Sequence, residues 1–198
     1  VFEYAGDIVI LDMGIQFPEE DMPGIDYIIP NTKYLTGKEK NIKGVILSHG
    51  HLDHIGAIPF AAGIFPKAPV ICTPYTAEIL KSIFKDERIK IPNDLIALNL
   101  NSIYKLSNKV SVELVNITHS IPQASMIVLH TPYGKIVYAN DYKFDRQPTL
   151  GKKPNFARLK EVGEEGVTLL IVESLYAHEH RKTPSESVAK EMLKDVML

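Results

Sequence analysis

Three histidines and an aspartate lie within six positions of one short segment. The segment ILSHGHLDHIGAIPF, residues 46–60, contains His49, His51, Asp53 and His54. Neutral imidazoles and carboxylates bind zinc at about 2.0–2.2 Å. His49 and His51, two residues apart in an extended loop, can reach one ion. Asp53 and His54 lie further on, where a helix can begin, and would face a second ion. The spacing predicts a two-metal hydrolytic centre, with the ions about 3.5–4 Å apart.

Four further polar residues stand at the ends of apolar segments that predict β-strands. Strand ends at one edge of a sheet converge in space, and α/β proteins place their sites there. We therefore expect these residues near the histidine cluster, with Asp141 as the carboxylate that bridges two ions. Asp12 has a second interpretation, in which it forms a turn or a hydrogen bond that orients a ligand. The four residues are Asp12 after DIVIL, His119 after VELVNIT, Asp141 after KIVYAN and Glu173 after TLLIV.

Short β-branched segments alternate with helical patterns along the chain, but a hairpin interrupts the alternation. Segment 125–141 predicts this hairpin, with Pro132 and Gly134 in its turn. This order favours a mixed α/β sandwich over a doubly wound sheet. The partly alternating segment 109–117 predicts a half-exposed strand, and the continuous apolar segment 166–174 predicts a central one. The remaining predicted strands are 7–12, 44–48 and 68–73.

A threonine followed by a proline marks the start of two predicted helices. Thr73 is a candidate cap, and Pro74 fits the first position of the helix that follows. Thr183 and Pro184 stand in the same relation, and Glu186 completes a capping box three residues after Thr183. We expect both helices to begin at these prolines.

The composition is that of an ordinary globular protein. The chain has 198 residues, of which 45% are hydrophobic and 23% charged, with a formal net charge of −2. No apolar run approaches the roughly 18 residues of a membrane span, so we expect no membrane association. The single cysteine, Cys72, excludes an internal disulfide framework and favours a reducing, cytoplasmic compartment. A protein that binds phosphates through its surface is usually basic. Binding of a nucleic acid by this chain would therefore need metal ions, or a basic groove elsewhere.

The remaining histidines have ordinary structural explanations. His130 lies in the middle of the predicted hairpin, and histidine is commonly only partly buried. His178 and His180 lie in the polar segment YAHEHRK, which predicts a solvated loop. We expect none of the three to bind metal.

The motifs together resemble a known family. HGHLDH matches the H-x-H-x-D-H pattern of the metallo-β-lactamase fold, and His119 and Asp141 follow in the order of that fold's later motifs. Four longer segments narrow the match, and over nearly the whole chain the sequence resembles the ribonuclease J family of β-CASP nucleases in its archaeal form. These segments are PGIDYIIPNTKYL, HGHLDHIGAIP, THSIPQASMIVLHTPYGKIVYANDYKFD and TPSE.

The resemblance implies a fold and a set of metal ligands. The implied fold is an αββα sandwich, and the implied cofactor is a pair of zinc ions. Manganese is the alternative, but a histidine-rich site favours zinc. The implied ligands are His49, His51 and His119 for one ion, Asp53 and His54 for the other, and Asp141 between them.

Three further roles follow from the same resemblance. Asp12 would orient the metal-binding side chains without binding a metal ion itself. Ser120, next to His119, would lie close to the scissile or terminal phosphate. Glu173 would support a catalytic histidine supplied later in the chain. Asp53 and Asp141 would take part in the reaction as well as bind metal.

The implied activity is hydrolysis of single-stranded RNA in RNA processing or decay, by exonuclease or endonuclease action. The resemblance allows a homodimer of the longer protein. We expect residues 1–198 to form a metallo-β-lactamase domain that is truncated at both ends. The β-CASP domain and the last ligand histidine are expected beyond about residue 185, outside this chain.

Two other interpretations remain in competition. A small-molecule hydrolase of the same fold, of the glyoxalase II or lactonase kind, would carry its last ligand histidine soon after Asp141. The sequence has no such histidine there. A metal-binding fragment without turnover is the third interpretation. Intact motif residues argue against it for a longer parent protein but leave it open for this chain.

Overall fold

Two five-stranded sheets form the centre of the molecule in a computed structural model that describes residues 1–197. Leu198, the last residue of the predicted domain, lies outside the described residues. The first sheet consists of β1 Phe2–Tyr4, β2 Asp7–Leu11, β3 Ile42–Ile46, β4 Val70–Cys72 and β5 Leu95–Ala97. The second consists of β6 Ile103–Lys105, β7 Ser111–Asn116, β8 Ser125–Thr131, β9 Gly134–Ala139 and β10 Val167–Val172.

The strand order brings the ends of several strands to one edge of the sandwich. The first sheet runs β1-β2-β3-β4-β5, with β2 to β5 parallel and β1 antiparallel at its edge. The second runs β10-β9-β8-β7-β6, antiparallel except for the parallel pair of β9 and β10. The carboxyl ends of β2 to β5 therefore point the same way, so the loops that follow them are neighbours.

Helices cover the outer faces of both sheets. The α-helices are α1 Leu52–Ile55, α2 Ile58–Ala61, α3 Pro74–Asp86, α4 Phe156–Glu164 and α5 Glu186–Met197. Short 3₁₀ turns occupy Lys33–Leu35, Glu39–Asn41 and Ala62–Ile64. Within residues 1–197 no helix is both long and apolar enough to cross a membrane.

Three apolar layers hold these elements together. Alternate residues of the first sheet face outward and pack against Ile55, Leu80 and Phe84 of the helices. The other residues of that sheet, such as Val9 and Ile46, pack against the inner face of the second sheet. The outer face of the second sheet packs against α4. This is the αββα sandwich that the sequence predicts.

The prediction that segment 109–117 forms a half-exposed strand is wrong about its exposure. Val112 to Asn116 of β7 are all buried, instead of alternating between core and solvent. The reason is the position of β7 between β6 and β8, with the first sheet on one face and α4 on the other. Its polar positions are occupied by Glu113 and Asn116, which find hydrogen-bond partners inside the protein.

The prediction that segment 166–174 is a central strand is also wrong. β10 pairs only with β9 at the edge of the second sheet, and all six of its residues are exposed. A continuous apolar pattern indicates a strand with two apolar faces, but it does not say what covers them. Among residues 1–197, no further strand pairs with the free edge of β10.

Of the two predicted helix starts, the structure confirms the one at Pro74. Thr73 stands at the cap position before Pro74, but its hydroxyl bonds the Thr76 hydroxyl at 3.0 Å instead of a backbone N–H. The prediction for Thr183 is wrong, because the last helix begins at Glu186. The backbone N–H of Glu186, the first residue of this helix, donates to the Asp145 carboxylate at 2.8 Å. A carboxylate distant in sequence therefore replaces the local cap.

Glu113 is the centre of a charged cluster under α4. Its side chain is almost fully buried, and Arg158 donates to both of its oxygens at 2.7 and 3.0 Å. His130 lies 2.8 Å from the same carboxylate, so this histidine is structural, as the sequence predicts. Burial alone would raise the pKa of Glu113, but the bonds from His130 and Arg158 outweigh it and lower the pKa to about 2.

Replacing Glu113 with glutamine will destabilise the fold by about 1–3 kcal/mol at neutral pH, because charged hydrogen bonds are lost in a buried place. A carboxyl group with a lowered pKa stabilises the folded state above its unfolded pKa. That contribution is lost as the pH falls through the folded value. The difference in unfolding free energy between the parent and Glu113→Gln will therefore be largest above pH 4.5, the ordinary pKa of a glutamate. It will shrink as the pH falls toward about 2, the pKa of Glu113 in the folded protein. Urea unfolding across this range measures it.

Glu161→Gln is the matched control, because Glu161 bonds the same Arg158 at 2.9 Å from an exposed position. It will change stability by less than about 0.5 kcal/mol. Equal effects of the two variants, or a Glu113→Gln difference that does not depend on pH, would contradict this account.

Candidate metal centre

The predicted site residues meet where strands of both sheets end. His49 and His51 follow β3, and Asp12 follows β2. From the second sheet, His119 follows β7 and Asp141 follows β9. The sandwich thus brings together side chains that are up to 129 positions apart in sequence, the separation of Asp12 and Asp141.

One group of four possible metal ligands contains three histidines. His49 Nε2 lies 3.0 Å from His51 Nδ1, and His51 Nδ1 lies 3.2 Å from His119 Nε2. His119 Nε2 lies 3.5 Å from Asp141 Oδ2. Ligand atoms from all four residues lie within 4.8 Å of one another.

A second group contains two carboxylates and one histidine. His54 Nε2 lies 3.5 Å from Asp53 Oδ2 and 3.4 Å from Asp141 Oδ2. The same Asp141 oxygen therefore belongs to both groups. A carboxylate shared in this way is the usual bridge of a two-metal hydrolytic centre.

The spacing of these atoms fits metal coordination. In a tetrahedral zinc site with bonds of about 2.0–2.1 Å, neighbouring ligand atoms are about 3.3 Å apart. The nitrogen and oxygen separations of 3.0–3.5 Å in both groups match this value. The donor set of imidazoles and carboxylates is also the one that divalent transition metals prefer. The residues present therefore fit a divalent metal centre.

Asp12 is the hydrogen-bond centre behind both groups. Its backbone has a φ of 53°, a left-handed conformation that aspartate tolerates better than most residues. Its Oδ2 accepts from the Ser48 hydroxyl at 2.8 Å and lies 2.8 Å from His54 Nδ1. The Tyr138 hydroxyl donates to the same oxygen at 3.2 Å. Asp12 thus directs the Nε2 of His54 toward the second group.

Ser48 extends this network to the first group. Its hydroxyl, which donates to Asp12, lies 3.0 Å from His49 Nδ1 and can accept the proton on that nitrogen. The protonated Nδ1 leaves the His49 Nε2 lone pair free for a metal ion. Asn140 reaches the same place, with its Nδ2 3.4 Å from both Asp12 Oδ2 and His49 Nδ1.

The surroundings favour neutral rings at His49 and His119 but not at His54. Burial, followed by the neighbouring imidazoles, lowers the pKa of His49 to about 2. Burial also lowers the pKa of His119, and the Asp141 charge opposes this shift only in part. Burial acts in the same direction on His54, but the hydrogen bond and charge of Asp12 outweigh it and raise the pKa.

The backbone of the histidine segment is held by the chain that leaves β2. Met13 N donates to His54 O at 2.7 Å, and Ile15 N donates to Leu52 O at 3.1 Å. Between them, a Cβ placed on Gly14 would lie 1.6 Å from the Asp53 carbonyl oxygen. Glycine is therefore required there, because any side chain would displace the short helix that carries Asp53 and His54.

The other sequence-predicted residues lie outside the two groups. Ser120 is exposed beside His119. Glu173 follows β10 at the same edge of the second sheet, where its backbone N–H donates to Ala139 O at 3.0 Å. Its carboxylate accepts from Leu175 N at 2.6 Å. His178 and His180 lie in an exposed loop, as the sequence predicts.

Ser48 and Tyr138 are the site residues that sequence reasoning missed. The position of Ser48 directly before His49 was a usable signal, because a hydroxyl there can reach the histidine ring. Tyr138 had no such signal. It is 126 positions from Asp12, and only the packing of the two sheets brings its hydroxyl to the carboxylate.

A family model confirms the fold that this geometry indicates. The model of the metallo-beta-lactamase superfamily matches residues 5–183. The chain belongs to the metallo-beta-lactamase superfamily. Its site residues therefore lie within the part of the chain that this superfamily shares, and a divalent metal is the cofactor that the superfamily and the histidine and aspartate groups support.

Two curated relatives in the superfamily are both named ribonuclease J. The protein of Pyrococcus abyssi is 43% identical over 99% of this chain and 46% of its own length. The protein of Methanocaldococcus jannaschii is 41% identical over 98% of this chain and 46% of its own length. The chain thus spans about half the length of these curated relatives.

A solved structure shares the fold at lower identity. It is a quorum-quenching N-acyl homoserine lactone lactonase, 19% identical, with a TM-score of 0.53. The match covers 92% of this chain and 82% of the lactonase. At this identity the likeness supports the αββα sandwich alone.

Replacing Ser48 with alanine will weaken zinc binding about 10- to 100-fold, because His49 loses the group that orients its ring. Competition with a chromogenic zinc chelator measures the affinity. Ser125→Ala is the matched control, since the buried Ser125 hydroxyl donates only to a backbone oxygen, Ser48 O, at 2.9 Å. Equal zinc affinities for the parent and Ser48→Ala would contradict this role.

Proposed function

We propose that this chain carries the catalytic centre of a zinc-dependent ribonuclease that hydrolyses phosphodiester bonds in single-stranded RNA. The observation that carries the proposal is the single Asp141 oxygen shared by two groups of metal-competent side chains. This arrangement suits hydrolysis at a phosphorus centre. The ribonuclease J relatives, at 41% and 43% identity, support RNA as the substrate.

The proposed ligand sets follow the two groups. Three histidines would hold one ion, a carboxylate and a histidine would hold the second, and one further carboxylate could serve both. A histidine-rich donor set favours zinc, and manganese is the alternative. The proposed ligands would be His49, His51 and His119 for the first ion, Asp53 and His54 for the second, and Asp141 for both.

When bound, the ions would supply hydroxide at neutral pH and positive charge for the phosphoryl oxygens. Asp53 is the residue best placed to handle the proton of the attacking water, because 64% of its side chain is exposed toward solvent. His54 stays oriented by Asp12, whose carboxylate lies 2.8 Å from Nδ1. In the reaction the phosphorus forms a bond to the water oxygen, and its bond to the leaving oxygen breaks.

Two further residues have proposed roles around the phosphate. The exposed Ser120 hydroxyl, next to His119, can donate to a phosphate oxygen. Glu173 lies beside the strand that carries Asp141 and would support a histidine that protonates the leaving oxygen. We also infer a reducing, cytoplasmic location, which the single buried Cys72 supports.

Metal analysis tests the proposed centre directly. The zinc-loaded protein will contain about two zinc ions per chain by elemental analysis, and His51→Ala will contain fewer, because it removes a ligand of the first group. His178→Ala is the matched control, since it removes a histidine from an exposed loop. Equal zinc content in the parent and His51→Ala would contradict the proposed ligand set.

Replacing Asp53 with alanine will lower the rate of RNA hydrolysis at least 100-fold, because a metal ligand and proton acceptor is lost together. The rate is measured on a labelled single-stranded RNA. Asp21→Ala, which removes an exposed carboxylate from the loop after β2, will leave it unchanged. A preference of the parent for a lactone or thioester over RNA would instead identify a small-molecule hydrolase.

A further inference from the structure

An open cavity of about 560 Å³ lies beside the metal centre and has no role in the reaction described above. Most of its walls come from four places: the start of α3, the loop after β5, the segment that follows His119, and the loop 150–152 before α4. Tyr75, Asn99, Pro122 and Lys152 are among the residues that line it.

The sheet order places the cavity on the same edge as the metal ligands. His49 follows β3, while Tyr75 follows β4 and Asn99 follows β5. Adjacent strands lie about 4.8 Å apart, so the ends of β4 and β5 lie about 5 and 10 Å from the end of β3. Pro122 is only three residues after His119. The cavity is therefore within reach of a chain molecule whose reacting bond lies at the metals.

The chemistry of the lining suits a nucleobase attached to a phosphate chain. Tyr75 is 40% exposed and presents an aromatic ring on which a base can stack. The side-chain amide of Asn99 offers both donors and an acceptor to the edge of a base, whereas Asn101 offers only its Nδ2 as a donor, because its Oδ1 already accepts from Asn116 N and Asn155 Nδ2. Lys152 supplies a positive charge, and none of the described residues that line the cavity is acidic.

Tyr75 is held in place by the opposite wall. Its backbone N–H donates to Gln123 Oε1 at 2.9 Å. Gln123 has a φ of 57°, so the chain turns sharply there after leaving the metal centre. This bond ties the start of α3 to the segment that carries His119. The backbone of Tyr75 thus keeps a defined position relative to the segment that carries His119.

A second exposed aromatic pair is a weaker candidate. Tyr27, in the loop after β2, and Phe60 of α2 have ring centres 5.9 Å apart. The loop that carries Tyr27 also carries Glu19, Glu20 and Asp21, whose charges repel a phosphate chain. The charges therefore favour the cavity at Tyr75.

We propose that this cavity is a nucleobase subsite, in which Tyr75 stacks with a base of the RNA strand one or two nucleotides from the bond at the metal centre. The proposal rests on RNA being the substrate, as argued under the proposed function. The subsite would bind the substrate at a place separate from the metal-binding residues. Lys152 would contact the adjoining phosphate.

The test measures binding separately from hydrolysis. A labelled single-stranded oligouridylate with phosphorothioate linkages, which resist hydrolysis, is titrated with the metal-loaded protein by fluorescence anisotropy. Tyr75→Ala will weaken binding roughly 5- to 100-fold, whereas Tyr75→Phe will keep near-parental affinity, because it retains the ring. A strand of equal length without bases will bind the parent and Tyr75→Ala equally.

Two further variants guard against misinterpretation. Tyr133→Ala is the matched control, because Tyr133 is 83% exposed in the turn between β8 and β9, at the opposite end of these strands from the metal ligands. It will leave the affinity unchanged. Lys152→Ala will weaken binding and reduce its salt dependence by about one phosphate contact. This variant supplies an independent test if Tyr75→Ala does not fold.

The outcomes separate the subsite from the proposed function. Unchanged affinity in Tyr75→Ala, or equal losses in Tyr75→Ala and Tyr133→Ala, overturns the subsite even if the protein hydrolyses RNA. A specific loss in Tyr75→Ala supports the subsite. If the parent binds RNA through Tyr75 but does not hydrolyse it, the subsite stands and the proposed function fails.

Discussion

The carboxylate of Asp12 is the contact on which the metal centre depends. One oxygen lies 2.8 Å from the Ser48 hydroxyl and 2.8 Å from His54 Nδ1, and the other accepts the Ser48 backbone N–H at 2.8 Å. Through these bonds a single buried charge orients a histidine of each ligand group. Such outer contacts set the tautomer and direction of a metal-binding ring, so their geometry is as important as the ligands themselves.

The sandwich explains why this contact can form. The first sheet provides Asp12 and the histidine segment, while the second provides His119, Tyr138 and Asp141. An apolar layer between the two sheets fixes their separation, and close packing leaves little freedom for the strand ends. The ligand positions are therefore a consequence of the core.

The charge distribution agrees with a metal-centred function. The chain has a formal net charge of −2, and the carboxylates of the site add negative charge where a phosphate would react. Divalent ions would reverse that local charge, which makes a strongly basic surface unnecessary at the reacting bond. The cavity near Tyr75 differs, since its lining offers an aromatic ring, amides and a lysine instead of carboxylates.

The sequence by itself determined the candidate metal-binding residues, their order along the chain and the class of fold. This was possible because His49 to His54 are close in sequence, and because apolar segments mark the strands whose ends carry Asp12, His119 and Asp141. Only the tertiary structure decided which strand is covered and which groups meet. β7 is buried and β10 is exposed through their places in the sheet, and Asp145 caps α5 across 41 positions. Tyr138 reaches Asp12 across 126 positions. Local sequence patterns predict whether a segment forms a strand or a helix, whereas such contacts depend on how two sheets pack.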